Sequence, residues 1–179
     1  PNNPTGNLFD MDDLKQIITN APGLVVMDEA YQPFAEHSFL ATLGDFSNLV
    51  LLRTVSKLGL AGLRLGYAVG LPEWMSEFDK VRSPYNVNVL TQLVAEKVLA
   101  HHDVLDEQAR AIRTERTRLT TALASMPGAS PFPSQANFVL ARLPDASRVC
   151  QELRERRILV KSMQGMHPLL DGCVRFTIG

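Results

Sequence analysis

The sequence is short of cysteine, of lysine and of long apolar runs, and each shortage excludes something. Its two cysteines, Cys150 and Cys173, make neither a disulfide framework nor a metal-ligand spacing. The four histidines, His37, His101, His102 and His167, lie near no cysteine pair and form no ligand pattern. No apolar run reaches the roughly 18 residues that would suggest a membrane span, and no stretch reads as a signal peptide. Lysine and arginine (18) nearly balance aspartate and glutamate (19). No basic stripe with interleaved aromatics is present, which argues against nucleic acid as a partner. The expectation is a cytoplasmic protein with no membrane partner. The 179 residues, 45% of them hydrophobic, suffice for a substantial core in one or two domains. The chain opens on "PNNPTG" without a methionine and stops inside the strand-like "VRFTIG". It is therefore expected to be a fragment of a longer polypeptide.

What is present is an alternation of helical and strand-like patterns. "FDMDDLKQIITNAPG" (9–23) places Leu14, Ile17 and Ile18 on one helical face, and Pro22-Gly23 ends it. "LVVMDEAY" (24–31), "NLVLLRTVS" (48–56) and "LGYAVG" (65–70) read as strands with the continuous apolar character of a sheet covered on both faces. "PEWMSEFDKVR" (72–82) reads as a short helix with Pro72 in its first turn. "SPYNVN" (83–88) reads as a loop. Residues 89–102 form an amphipathic helix, and 103–126 a longer one with Asp103 as N-cap and a solvated charged face. "ANFVLARL" (136–143), "ILVKSM" (158–163) and "CVRFTIG" (173–179) read as strands, with a helix over 145–157. The fold class expected is α/β, a mainly parallel sheet followed by a small α+β layer.

Polar residues gather at the C-terminal ends of the first strands, where open α/β sheets bind ligands. Among only five lysines, Lys57 alone follows an apolar strand directly and is flanked by small residues. Such a lysine, held near apolar or cationic surroundings, can form a Schiff base; a strand-end lysine reaching solvent is the alternative. Asp28 closes an apolar strand, where a carboxylate needs a cationic partner: a protonated pyridine nitrogen, an arginine or a helix N-terminus would each serve. Ser56 with Arg64 could hold a phosphate through hydroxyl and guanidinium donors, with Gly59, Gly62 and Gly66 letting backbone approach closely. A loop that merely needs glycines is the other reading. "LGLAGLRLG" lacks the spacing of a dinucleotide-binding signature. Arg175, inside "CVRFTIG", could grip a substrate anion bidentately or be an edge-strand arginine pointing to solvent.

Taken in order, "NNPTG", "VVMDEAY", "TVSKLGLAGLRLGY", "ANFVL" and "VRFTIG" resemble the fold-type I, pyridoxal phosphate-dependent aminotransferases, and the resemblance spans the chain. "RTVSKLGLAGLRLGY" followed by "PYNVN" is most similar to the histidinol-phosphate branch of that family. The resemblance implies that Lys57 holds the cofactor and shuttles the substrate proton. It implies that Asp28 pairs with the pyridine nitrogen, and that Tyr31 and Asn3 hydrogen-bond the phenolic oxygen. Thr54, Ser56 and Arg64 would grip the phosphate. Arg175 would bind the substrate's carboxylate or phosphate, with Asn3 beside the substrate. Asn137 would be a structural marker of the small domain. Arg64 follows Lys57 by seven positions, where many members of the family use eight, so a shorter phosphate loop is expected.

The implied reaction is transamination of histidinol phosphate, with glutamate and 2-oxoglutarate as the amino-group pair and pyridoxal 5'-phosphate as cofactor. An aromatic amino-acid transaminase or a phosphothreonine decarboxylase-like enzyme is the alternative within the family. A non-catalytic, transaminase-like regulatory domain is the alternative outside catalysis. The implied organisation is 1–105 as part of the large cofactor domain and 106–179 as the small domain. A homodimer is implied for the intact protein. The chain alone would expose sheet edges and half a core and be inactive.

Overall fold

The computed structural model describes all residues, Pro1–Gly179. Helices and strands are numbered in chain order. The helices are α1 (Met11–Asn20), α2 (Pro72–Val81), α3 (Val89–Leu99), α4 (His102–Ala124) and α5 (Ala146–Glu155). The strands are β1 (Val25–Asp28), β2 (Leu49–Thr54), β3 (Gly66–Gly70), β4 (Ser130–Pro131), β5 (Phe138–Arg142), β6 (Lys161–Ser162) and β7 (Cys173–Thr177). No helix is long and apolar enough to cross a membrane. The chain divides into two compact units, Phe9–Ala109 and a second built from Pro1–Leu8 with Arg110–Gly179.

In the first unit, Asp10 caps α1 by accepting the Asp12 and Asp13 amides, and the helix ends before Pro22-Gly23. Ile18, Leu14 and Met11 pack with Val25, Met27, Leu49, Leu51 and Val69 on one face of a three-stranded sheet of order β1-β2-β3. Phe39, Leu43 and Phe46, from a 3-10 segment over Phe39–Asp45 and the residue after it, complete that core. Asn48 donates to the Ile18 and Gly23 carbonyls, fastening the helix exit to the entry of β2.

The expectation of a parallel sheet holds for one pair only. β1 and β2 run parallel, with Asp28 level with Leu52. β2 and β3 run antiparallel, with Thr54 level with Gly66. The reason lies in residues 55–65. They form two 3-10 turns, Ser56–Leu58 and Ala61–Leu63, whereas a parallel return needs a crossover of a dozen or more residues, usually through a helix. Burial on both faces is found only in the first half of β2, where Leu49, Val50 and Leu51 are all fully buried. Val26, Leu52 and Tyr67 are exposed, and β3 is an edge strand. Asp103 falls in the first turn of α4 rather than at its N-cap, because the helix already begins at His102. There its charge still complements the N-terminal end of the helix dipole.

In the second unit the sheet order is β4-β5-β7-β6, every pair antiparallel. Val139, Ala141 and Val174 pack under Leu119 and Leu123 of α4 and under Ala146 and Val149 of α5. Leu140, Met163 and Cys173 form a second core on the other face. Asp145 caps α5 through the Arg148 amide. One charge of α4 does not face solvent: Arg116 is buried and donates to the Ala136 carbonyl at 3.1 Å. The first eight residues pack with this unit. The Gln135 backbone amide donates to the Gly6 carbonyl at 2.7 Å, and Arg175 donates to Asn3.

Leu51→Ala removes a fully buried side chain between α1 and the sheet. It should cost about 2–5 kcal/mol, read as a lowered urea midpoint with an unchanged slope.

Candidate active site

The antiparallel return of β3 decides where the polar residues meet. β1 and β2 end at one edge of the sheet, at Asp28 and Thr54. β3 begins at that same edge, so Arg64, two residues before Gly66, arrives there as well. In the parallel sheet expected from the sequence, Arg64 would have stood at the opposite edge.

Strand alternation sends Asp28, Leu52 and Thr54 to one face and Glu29, Arg53 and Tyr67 to the other. Asp28 is exposed on its face, and its carboxylate accepts the Ala30 amide at 2.8 Å. Thr54 Oγ1 lies 2.9 Å from Ser56 Oγ and 3.0 Å from the Leu65 carbonyl, and it accepts the Ser56 amide at 3.0 Å. The Thr54 hydroxyl thereby folds the chain back after β2 and presents Ser56. Lys57 stands in the next turn, half-buried, with Nζ 5.0 Å from the centroid of the Tyr31 ring. A cation over an aromatic face is attracted by the ring quadrupole, which steers the amine toward Tyr31.

Three backbone features shape this loop. Gly59, directly after the Lys57 turn, has φ 84°, a conformation side chains rarely adopt. At Gly66 a Cβ would lie 2.9 Å from the Arg53 carbonyl, so only glycine lets β3 meet β2 here. Gly62 meets nothing within 4 Å and has no such requirement in this chain. Arg64 itself is left-handed, φ 52° and ψ 36°, without being glycine. That conformation costs about 1–2 kcal/mol for an L-residue, and it turns an exposed guanidinium out at the sheet edge.

Behind the site lies a cluster that the sequence reading missed. Glu29 is buried, and its carboxylate accepts from Arg53 (3.1 and 2.8 Å), Ser38 Oγ (2.9 Å) and the Phe39 amide (2.8 Å). Arg53 also donates to Ser38 Oγ at 2.7 Å. Burial works against the charge of Arg53, but Glu29 and Tyr67 outweigh it and hold the guanidinium above its ordinary value. Removing one partner from so buried a pair costs about 3–5 kcal/mol. The alternating position of Arg53 in "VLLRT" is the available signal: a charge on the covered face of a strand needs a partner.

Asn3 and Arg175 belong to the other unit. Arg175 is not an edge-strand residue, since β7 lies between β5 and β6. Its Nη1 donates to Asn3 Oδ1 at 2.8 Å, and its guanidinium carbon lies 5.0 Å from the centroid of the Phe138 ring. Its Nε is buried without a partner. The bonded partner is a neutral amide, so the cation keeps its charge for an anion. Asn137 stands just before β5, and its carbonyl accepts the Ile178 amide at 2.8 Å.

The first unit thus brings a carboxylate, two hydroxyls, a primary amine and a guanidinium to one sheet edge, and the second holds an arginine bonded to an asparagine. The family model for aminotransferase class I and II matches residues 1–179. The chain belongs to the class I and II aminotransferases. Among its relatives in that family is histidinol-phosphate aminotransferase 1 of Ralstonia nicotianae, 57% identical over 99% of this chain and 49% of that protein. The chain spans about half the length of the curated relatives it matches. The solved histidinol-phosphate aminotransferase from Clostridium acetobutylicum superposes with a TM-score of 0.87 at 26% identity, covering 99% of this chain and 56% of that one. A second solved aminotransferase, the histidinol-phosphate enzyme of Sinorhizobium meliloti in complex with pyridoxal-5'-phosphate, gives 0.83 at 32% identity, covering 99% and 50%. The fold is therefore that of the fold-type I aminotransferases, and the α/β class expected from the sequence is correct.

Arg64→Gly should leave folding stability unchanged or raise it by up to about 1 kcal/mol, because the left-handed strain is relieved. It should also weaken binding of phosphate-bearing ligands. Thermal unfolding and a phosphate-ester binding titration on the same preparation separate the two effects.

Proposed function

We propose that the protein carrying this chain is a pyridoxal phosphate-dependent transaminase that moves an amino group between histidinol phosphate and the glutamate/2-oxoglutarate pair. The observation that carries the cofactor reading is the meeting of Asp28, Ser56, Lys57 and Arg64 at one sheet edge. The donor chemistry of that edge fits the group: a carboxylate for a cationic ring nitrogen, an amine for an aldehyde, and a hydroxyl with a guanidinium for a phosphate. The substrate reading is supported by likeness to the relatives at 57% identity, which carry that substrate in their names.

Pyridoxal phosphate, when bound, supplies an electron-withdrawing ring that accepts the electrons left when a substrate Cα–H bond breaks. Each residue then has one task. Lys57 would hold the cofactor through its amine and would move the proton at the substrate Cα. Its half-buried setting beside Tyr31 limits its reach. Asp28 would pair with the ring nitrogen and favour its protonated form. Tyr31 and Asn3 would hydrogen-bond the phenolic oxygen. Thr54 orients Ser56 through the 2.9 Å contact, and Ser56 and Arg64 hold the phosphate. Arg175, kept in place by Asn3 and Phe138, takes the carboxylate or phosphate of the substrate. A cytoplasmic homodimer acting on small amino-acid-like substrates and 2-oxo acids completes the reading, together with 1–105 and 106–179 as portions of a large and a small domain. The exposed apolar side chains Val81, Tyr85, Val89, Leu90 and Leu93 suit an assembly in which they are covered.

Reduction with borohydride in the presence of pyridoxal phosphate, followed by peptide mass mapping, should place one pyridoxyl group on Lys57. Adducts scattered over Lys15, Lys80 and Lys97 would reject the reading. Lys57→Ala should abolish transamination. Arg175→Ala should raise KM for phosphate and dicarboxylate substrates about 10- to 100-fold, the worth of a charge-assisted hydrogen bond. Cofactor affinity should change far less.

A further inference from the structure

We propose that Glu29 and Arg53 are positioning residues for the cofactor site: a buried pair on the back of the sheet that sets the direction of the Asp28 carboxylate and the start of the Lys57 loop. The inference rests on the cofactor reading above. Glu29 follows Asp28, and Arg53 precedes Thr54. Alternation puts both members of the pair on one face and both site residues on the other. A rotation of either strand end would therefore move one residue of the pair and one of the site together.

The geometry is that of a brace. The Glu29 amide donates to the Leu52 carbonyl at 2.8 Å, the β1–β2 contact made just past Asp28. Beyond it the chain leaves the sheet, and an unsecured strand end would fray. The side chains take over at that point. One carboxylate oxygen of Glu29 receives Arg53 and Ser38, and the other receives the Phe39 amide. Arg53 reaches Ser38 with the same nitrogen that meets Glu29. The side chains are 13% and 9% exposed, so water does not loosen the contact. On the open face, by contrast, Asp28 is exposed and accepts from the Ala30 amide.

An apolar pair would serve stability equally well, since replacing buried ion pairs by hydrophobic residues is often neutral or stabilising. What such a pair lacks is directional restraint at defined atoms. Lysine in place of Arg53 would lack the planar fork that meets Glu29 and Ser38 together. The pair is also neutral overall. Losing Arg53 alone would leave a second, buried carboxylate beside Asp28.

The test is a double-mutant cycle in the protein carrying this chain, with pyridoxal phosphate as ligand. Its dissociation constant and the pH midpoint of the bound cofactor's visible band are measured for the parent, Glu29→Gln, Asp28→Ala and the double variant. Glu29→Gln should weaken binding about tenfold, within the range for coupled neighbours. It should move the midpoint by about half a pH unit or more, as a changed charge contact does. In the Asp28→Ala background the same change should have little further effect on either quantity. Ser38→Ala removes the hydroxyl that bonds Glu29, Arg53 and the Leu40 amide, and it keeps the ion pair. It should repeat the pattern at smaller amplitude, and it carries the test if Glu29→Gln does not fold. Additive losses, or an unmoved midpoint with only a lower Tm, would overturn the inference while leaving the cofactor reading intact. A parent protein that does not bind pyridoxal phosphate would overturn both.

Discussion

The short connection over residues 55–65 is the constraint on which the candidate site depends. Too short for a crossover helix, it turns the chain back so that β3 runs against β2. The start of β3 then coincides with the ends of β1 and β2, and Arg64 joins Asp28 and the Lys57 turn at one edge. The turn carries its own costs. Arg64 takes a left-handed backbone, and Gly66 lies so close to the Arg53 carbonyl that a side chain would not fit. The cost at Arg64 falls on a residue of the proposed phosphate grip. Strain retained at such a place is consistent with a functional role.

The same sheet separates chemistry from support by its pleat. One face presents Asp28 and Thr54, and the other locks Glu29 to Arg53. A strand of this kind lets a polar reactive surface coexist with a satisfied buried charge one residue away, because successive side chains never share a face. In the second unit Arg175 follows a related logic. It is placed in an interior strand, stacked on Phe138 and bonded to Asn3. The cation is oriented by a ring and a neutral amide rather than cancelled by a carboxylate.

Much of this architecture is legible in the amino-acid sequence. Apolar runs mark β1, β2, β3, β5 and β7 to within a few residues, and periodicity with capping residues marks the helices other than α3, whose Val89, Leu90, Leu93 and Val94 are exposed rather than turned to a core, with α4 beginning one residue before its expected cap. β4 leaves no trace, because two residues carry no period. β6 is shorter than its apolar run, because pairing with β7 reaches only Lys161 and Ser162. Lys57 and Asp28 stand out because their residue types contradict their apolar surroundings. Arg116 does not, because a buried arginine on a charged helix looks like its solvated neighbours until the Ala136 carbonyl it meets is known. Nor does the Arg53–Glu29 pair, whose partners are separated by a whole strand connection.

Periodicity, capping and residue type are local properties, so most elements, the chemistry-bearing residues and their order can be read from the sequence. Tertiary structure alone decided strand direction, the face on which each charge lies and the unit to which the first eight residues belong. Those depend on how long a connection must be to cross a sheet and on which distant group can satisfy a buried charge. Neither quantity is written in any short stretch of the chain.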